Sequence, residues 1–472
     1  MEEQMKKKIY IAVFFIILCL PSFAMLFYKT DANVEKRKVQ SFPDLKKEGK
    51  LNIRYFDELS NYFSDNFAYR QELIAIDAFI KSKIFKESNN EKVIVGKNGW
   101  LFFSETLDDY LGRNTLSDRQ IFSCARVLYL LQENAEQNGK KFLFTVAPNK
   151  NALYPEYMPD RYIQIDDKNN YAMLKKELSA QRVNFIDLQK LFQDERKVVY
   201  HKLDTHWNNE GAAMACNWIL DNLEQQHYDY SSEPKKIENN FSGDLYGMLF
   251  PKGDKKDENI IYEKKHSYIY VSKTKNVEDI SLKTENLEKD GSIVMYRDSF
   301  GNALIPFIAD EFKNGYFTKA VPYNWELADI YNADAVVIEI AQRHISSLIE
   351  EVPYMEAPLR EEKIDIQEKN DCTSTLERVE SEDDYMQFRG IIDKKYIDKD
   401  GKILLRFRND KRQYTFEAFP AAFGGESSSG YEYGMYFDTS FCEAGSYDVE
   451  VISEKEGRYY TSGNQVEITI EE

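Results

Sequence analysis

Cysteine is scarce in this chain: there are five in 472 residues, and no two form a C-x-x-C pair. A structural zinc site or a dithiol redox centre needs that kind of spacing, so neither is supported. Cys19 falls in an N-terminal apolar run. Cys124 and Cys216 sit in helix-like stretches and read as buried thiols, while Cys372 and Cys442 share the C-terminal stretch, where they are free to pair. Basic charge is also short, with 62 Lys and Arg against 80 Asp and Glu, a net charge of −18. That balance argues against nucleic acid and against an anionic membrane surface as the main partner. A neutral or zwitterionic glycan suits such a body better than a polyanion, which needs a local basic cleft. Internal repeats, low-complexity tracts and a G-x-S-x-G elbow are absent too, and no segment calls for a cofactor.

Apolar and aromatic residues are plentiful: 43% of the chain is hydrophobic, with 32 Tyr and 30 Phe. The length fits two or three domains with a sizeable core. After MEEQMKKK, residues 9–28 (IYIAVFFIILCLPSFAMLFY) carry no charge. About 20 apolar residues in a helix cross a bilayer core. Lys6, Lys7 and Lys8 then stay on the cytoplasmic side and the rest of the chain lies outside, as a single-pass protein of the cell membrane. A cleaved signal peptide is the competing reading, but the apolar run continues past its weak Ser22-Phe23-Ala24 site.

Residues 31–44 read as a polar stalk, and residues 53–85 show helical spacing. VIVGKNGWLFF (93–103) reads as a hairpin turning at Lys97-Asn98-Gly99. Helices are expected at 118–138, capped by Ser117, and at 171–181, 209–225 and 303–312. Strands are expected at 141–148, 183–188, 292–300 and 333–340. Short, continuously apolar strands between helices predict an α/β domain of three layers, a parallel sheet covered on both faces. Residues 239–289 are polar and lysine-rich and read as an insertion without assignable structure. From about residue 350 the texture changes to a charged linker. KILLRF, YTFEAF, YEYGMYF, SYDVEVI and QVEITI then predict an all-β, sandwich-like domain. The expected division is a membrane anchor at 1–30, a catalytic domain at 31–350, a linker at 351–372 and a β-sandwich at 373–472. Tyr431, Tyr433, Tyr436, Tyr459 and Tyr460 in the last part suit stacking on sugars, and ordinary strand propensity explains them equally.

Two short segments carry chemistry. In LDTHWNNEGAA (203–213), Asp204 and His206 are two apart at the edge of a helix. In extended chain, that spacing puts a carboxylate and an imidazole on one side, where the first can fix the tautomer of the second. A capping Asp beside a hydrogen-bonded His is the plainer explanation. In MYRDSFGNALIPF (295–307) a strand ends, Ser299 follows, and a helix begins. Such a serine lies near the positive end of the helix, where backbone N–H groups can hold an oxyanion. An ordinary N-cap gives the same pattern. Taken together, each segment supplies what the other lacks, because a serine is a weak nucleophile until a base takes its proton.

The stretches FSDNFAYRQELI, VIVGKNGWLFF, VAPNKNALYPEYMP, DTHWNNEGA, RDSFGNALIPFIADEF and ADAVVIEIAQR occur in this order. Over residues 38–347 the chain resembles the DHHW / AlgJ–AlgX family of SGNH-hydrolase-like proteins of polysaccharide O-acetylation. The resemblance implies a permuted SGNH-like fold, with Asp204 as orienting acid, His206 as base and Ser299 as nucleophile. Thr205 replaces the middle histidine of the DHHW form, as in alginate-type members. It also implies a membrane-bound O-acyltransferase as partner.

The expected reaction is acetyl transfer through an acyl-serine to a cell-surface or secreted polysaccharide. Deacetylation with the same three residues, or a non-catalytic glycan-binding scaffold, are the alternatives. Asn149 or Asn151 is a candidate second oxyanion donor. Lys150, Arg297 and Arg343 are candidate substrate contacts, and Trp100, Trp207 and Trp325 are candidate stacking rings. His201 lacks a third spaced ligand, so no metal is expected.

Overall fold

The computed structural model describes residues 2–25, 27, 40–47, 49–81, 87–165, 168–273, 275–360, 366–368, 374–379, 385–424 and 428–470. Cys372 lies outside the described residues, and with it the expected pairing to Cys442. So do most of the expected stalk and residues 82–85.

Helix α1 (Glu2–Ala24) runs through Pro21. Its stretch Gln4–Ala24 is long and apolar enough to cross a membrane by length and composition, and none of it is buried in the protein. Two amphipathic helices follow, Tyr55–Asn66 and Arg70–Ile80.

A mixed α/β body is organised by a seven-stranded sheet. Its strands are β1 (Lys141–Ala147), β2 (Phe185–Ile186), β3 (Ile269–Tyr270), β4 (Ser281–Glu285), β5 (Ser292–Tyr296), β6 (Asn314–Thr318) and β7 (Ala335–Ala341), in the order β2-β1-β7-β5-β6-β4-β3. The first five in that order are parallel, and β4 and β3 close one side antiparallel. The alternation of strand side chains decides which core each residue joins. Leu143, Ile293, Met295 and Val337 face one cluster; Phe142, Phe144, Val294, Val336 and Ile338 face the other. Helices α2 (Asp118–Gln137) and α3 (Asn170–Gln181) cover the second face through Leu128, Leu131, Leu174 and Leu178. Helices α4 (Asn209–Asn222) and α6 (Gly301–Ala309) cover the first through Cys216, Ile219, Leu304 and Ile308, with α5 (Asp244–Leu249) between them in sequence. Ser117 starts α2 with a capping box that Gln120 completes.

One expectation needs correcting, and two other stretches gain structure that the sequence left unassigned. Residues 183–188 yield only the two-residue strand β2, because Asp187 caps a helix that starts at Leu188. Residues 239–289 are structured: Lys235–Phe241 pairs antiparallel with Asp257–Tyr262, and β3 and β4 extend the main sheet. Part of the linker is sheet, since Ile366–Glu368 pairs parallel with Arg458–Ile470.

The C-terminal part holds a five-stranded and a four-stranded sheet. Phe388, Phe407, Phe416, Tyr433, Phe437 and Val449 belong to one core shared by both. Tyr433 and Tyr460, two of the tyrosines suited by type to stacking on sugars, are buried, and the Tyr433 hydroxyl donates to the Thr375 carbonyl. This part is fastened to α2. Arg126 grips both oxygens of buried Glu417 at 2.7 and 2.8 Å, and Arg360 joins Glu417 to Glu133 at 2.9 and 2.7 Å. The guanidinium of Arg119 donates to the Gly401 carbonyl at 2.6 Å.

Candidate active site

The site is built at the carboxyl ends of β5 and β7, where open α/β sheets carry their reactive groups. β5 ends at Tyr296, and Arg297-Asp298-Ser299 turn into α6. Asp298 braces this turn from below. One of its oxygens accepts the Phe300 N–H at 2.8 Å; the other accepts the Ala341 N–H at 2.7 Å and lies 3.1 Å from Nδ1 of His344. The turn is tight enough to require glycine at 301. A Cβ there would lie 2.6 Å from Arg297 Cβ and 3.0 Å from Glu339 Oε2. Beneath it, the wholly buried Glu339 accepts the Asp298 N–H at 3.3 Å. Burial, with the charge of Asp298, pushes the Glu339 carboxyl far above its usual range.

Asp204 and His206 sit in the loop before α4, which Asn208 caps by accepting the Gly211 N–H. The Asp204 carboxylate is almost fully buried, and its hydrogen bonds fix it. Oδ1 lies 2.8 Å from both the backbone nitrogen and Nδ1 of His206, and Oδ2 accepts the Asp244 N–H at 2.7 Å. The neighbouring backbone is held as firmly. Asp244 accepts the Thr205 N–H at 2.8 Å, and Asp257 accepts the Leu203 N–H at 2.7 Å. Gly243 lets the start of α5 press on the loop, since a Cβ there would stand 2.2 Å from the Leu203 carbonyl oxygen.

The other imidazole nitrogen of His206, Nε2, is 2.9 Å from Ser299 Oγ. Carboxylate, imidazole and hydroxyl therefore form one hydrogen-bonded line across 95 residues of sequence, from 204 to 299. Burial works against charge on His206. The hydrogen bond and charge of Asp204, with the charge of Asp244, outweigh it and hold the imidazole above its ordinary value. Burial likewise opposes ionisation of Asp204, yet the His206 contacts and two backbone N–H groups bring it far below the usual carboxylate range. Asp244 goes the other way: burial and the Asp204 charge push it up to about 6. Asp204, His206 and Asp244 have ligand-type atoms within 4.8 Å of one another. Within that group Asp204 Oδ1, Asp204 Oδ2 and His206 Nδ1 are already in hydrogen bonds, an arrangement that orients an imidazole.

Other residues singled out in the sequence fall in different places. Trp207 is buried; its indole donates to the Phe300 carbonyl at 3.1 Å, and the two rings meet edge to face at 5.2 Å. Arg343 is half-buried at the end of β7, its guanidinium carbon 5.4 and 5.7 Å from the ring centres of Phe103 and Phe300. Its charge acts against the imidazolium of His206. Arg297 is buried and donates to the carbonyls of Val277 and Asp279 at 2.9 and 3.2 Å and to Asn302. Lys150 is buried with Nζ on the carbonyls of Leu101, Lys202 and Asp204. The side chains of Asn149 and Asn151 are committed to Asp109 and Thr106 at 3.0 and 2.9 Å. Trp325 stacks on Tyr296 at 5.5 Å and donates to Asn134, on the opposite face of the sheet from Trp207. Trp100 stacks on Tyr157 at 4.6 Å inside the core. His201 stacks on Phe241 at 3.7 Å.

Asp244 and His344 are additional residues of the site. Asp244 reaches the loop from 40 positions away, out of the polar stretch, and no local pattern announces it. His344 follows a strand end and offered that single clue.

The site and sheet define an α/β protein with a serine, an imidazole and a carboxylate in line at the strand ends. Residues 93–252 match a family described as the SGNH hydrolase-like domain of the acetyltransferase AlgX, a stretch that contains Asp204 and His206 and stops before Ser299. Over this stretch the chain is similar to the SGNH-hydrolase-like AlgJ/AlgX/DHHW family. It is similar to the probable alginate O-acetylase AlgJ of Pseudomonas syringae pv. tomato, 23% identical over 215 residues that are 45% of this chain and 51% of that protein. The chain thus spans about half the length of that curated relative. Among solved structures it is similar to PatB1 of Bacillus cereus, with a TM-score of 0.43, 17% identity and coverage of 54% of this chain and 96% of that one. A DHHW family protein from Eubacterium siraeum gives a TM-score of 0.39, 16% identity and coverage of 47% and 85%.

Proposed function

We propose that this protein is an extracytoplasmic serine O-acetyltransferase that acts on a cell-surface or secreted polysaccharide. The observation that carries the reading is the hydrogen-bonded line from Asp204 through His206 to Ser299, with 2.8 and 2.9 Å steps. His206 takes the Ser299 proton as Oγ attacks the donor ester carbonyl. The Ser299 N–H, at the start of α6, faces the developing oxyanion. His206 returns the proton to the leaving oxygen, and the acetyl group stays on Ser299. A sugar hydroxyl then gives its proton to His206 and attacks the acetyl-serine, and His206 returns that proton to Ser299 Oγ as it leaves. Asp204 keeps the imidazole in the reacting tautomer throughout. Arg343, at the rim beside Phe300, contacts the substrate.

The division proposed with this reading is an anchor at 1–30, a permuted SGNH-like catalytic domain at 31–350, a linker at 351–372 and a carbohydrate-binding β-sandwich at 373–472. α1 tethers the chain to the membrane, and a membrane-bound O-acyltransferase supplies acyl groups. The test is acetyl transfer by the full-length protein in detergent. With 4-nitrophenyl acetate as donor and candidate oligosaccharides as acceptors, acetylated sugar should appear for the wild type and not for Ser299→Ala. Acetate alone, whatever the acceptor, would make the protein an esterase, and equal transfer by both proteins would overturn the reading.

A further inference from the structure

Lys150 stands at the carboxyl end of β1, at the start of a short helical turn (Lys150–Leu153). Only 4% of it is exposed. An ammonium has three donors, and here each meets a carbonyl: Leu101 at 2.7 Å, Lys202 at 3.0 Å and Asp204 at 2.8 Å. The rings of Trp100 and Phe102 close around Nζ, with centres 5.1 and 5.4 Å away. No donor is left for a sugar, and the carboxylates of Asp204, Asp257 and Asp244 act on it from a distance. Burial pushes the ammonium down to about 7, against the pull of Asp204, Asp257 and Asp244.

Two of the three carbonyls belong to the loop that carries the base. Asp204 is gripped twice: its carbonyl by Lys150 and its carboxylate by His206 and the Asp244 N–H. β1 and β5 are both bonded in parallel to β7, one on each side. Lys150 leaves the end of β1 and Ser299 leaves the end of β5. The sheet thus fixes the nucleophile directly and the base through Lys150.

We infer that Lys150 is a positioning residue whose buried ammonium sets the Asp204–His206 loop at hydrogen-bond distance from Ser299, and that it is not a substrate contact. The inference rests on the acyl-transfer reading of those three residues. Removing the ammonium leaves the Asp204 carbonyl without its donor in a buried place. The loop then relaxes, and a misplacement of about 1 Å can cost on the order of a hundredfold in rate.

The experiment uses the full-length chain with Lys150→Met, Lys150→Ala and the wild type. For ester hydrolysis, kcat of Lys150→Met should fall on the order of a hundredfold, with KM unchanged within about twofold. Ethylammonium should restore part of kcat to Lys150→Ala. The chain has five histidines, so His206 can be followed by NMR with labelled imidazoles. Its titration should move down toward the ordinary 6.5 in Lys150→Met, as its hold on Asp204 loosens. A raised KM with unchanged kcat, or an unmoved kcat and titration, would overturn the inference. Should neither variant fold, the wild type still decides. Under reductive methylation Lys150 must stay unmodified while surface lysines react, and its methylation in the folded protein would overturn the inference. A wild type that neither hydrolyses the ester nor passes its acetyl group to a sugar sinks the acyl-transfer reading, while the His206 titration still reads the role of Lys150.

Discussion

The indole N–H of Trp207 donates to the carbonyl of Phe300 at 3.1 Å, and this bond ties the loop bearing the imidazole to the turn bearing the hydroxyl. Each partner is next in sequence to a residue of the reacting pair, His206 and Ser299. The tryptophan of the D-x-H-W segment is therefore a spacer inside the core, and its ring does not reach a sugar.

Trp207→Phe keeps an aromatic ring and removes the donor. The Phe300 carbonyl then keeps only the Ala303 N–H, at 3.2 Å, and the lost hydrogen bond costs about 0.5–1.5 kcal/mol. Thermal or denaturant unfolding should show that loss. kcat for ester hydrolysis should fall with it, while KM stays near the wild-type value.

Gly301→Ala places a methyl group 2.6 Å from Arg297 Cβ, against a buried side chain that has no room to retreat. Overpacking of this kind costs about 1–3 kcal/mol. Activity should fall further than stability alone explains, because the displaced turn carries Ser299. Crystal structures of the two proteins, or unfolding curves paired with kinetics, check this.

His206 must be neutral to accept a proton, and Asp204 and Asp244 hold its pKa above the ordinary 6.5. The acid limb of the kcat/KM profile should therefore lie above that value. Asp244→Asn removes one of the charges that raise it, so the limb should shift to lower pH. The sign for stability follows from the same shift. A histidine whose folded pKa is raised stabilises the fold fully below the unfolded value, and that stability is lost as pH rises through the folded one. Asp244, itself pushed up to about 6, is uncharged well below that pH, so the variant should match the wild type there and differ from it only as pH rises past about 6, which denaturant titrations at several pH values will measure.

Asp204→Asn preserves shape and removes the charge that orients His206. By analogy with the well-studied serine triad, kcat should drop by about four orders of magnitude. KM should change little, since Asp204 is buried behind the imidazole and away from substrate.

Much of this site was legible in the sequence, for reasons that can be named. Continuous apolar strands such as AVVIEIA leave no alternative but a sheet buried on both faces, and β7 is buried at every position. Asp204, His206 and Ser299 stood out because each sits at the edge of an element, in residue types that suit one another. Asp244, Lys150 and Glu339 were harder to read. Lys150 looks in sequence like any loop cation, and only burial on the carbonyls of Leu101, Lys202 and Asp204 shows its task. β3 and β4 were missed because their place at the sheet margin is set by pairing with β6, and a half-exposed margin strand has no continuous apolar run. The two readings of the C-terminal tyrosines stayed open for a related reason: alternation does not say which face of a strand will be covered, and Tyr433 faces inward.

The most direct measurement is mass spectrometry of the protein after a brief reaction with 4-nitrophenyl acetate and an acid quench. The account predicts one acetyl group on the peptide that carries Ser299, its loss in Ser299→Ala, and much slower labelling in His206→Ala. Acetylation of other residues only, or labelling of Ser299 that proceeds as fast without His206, would contradict it.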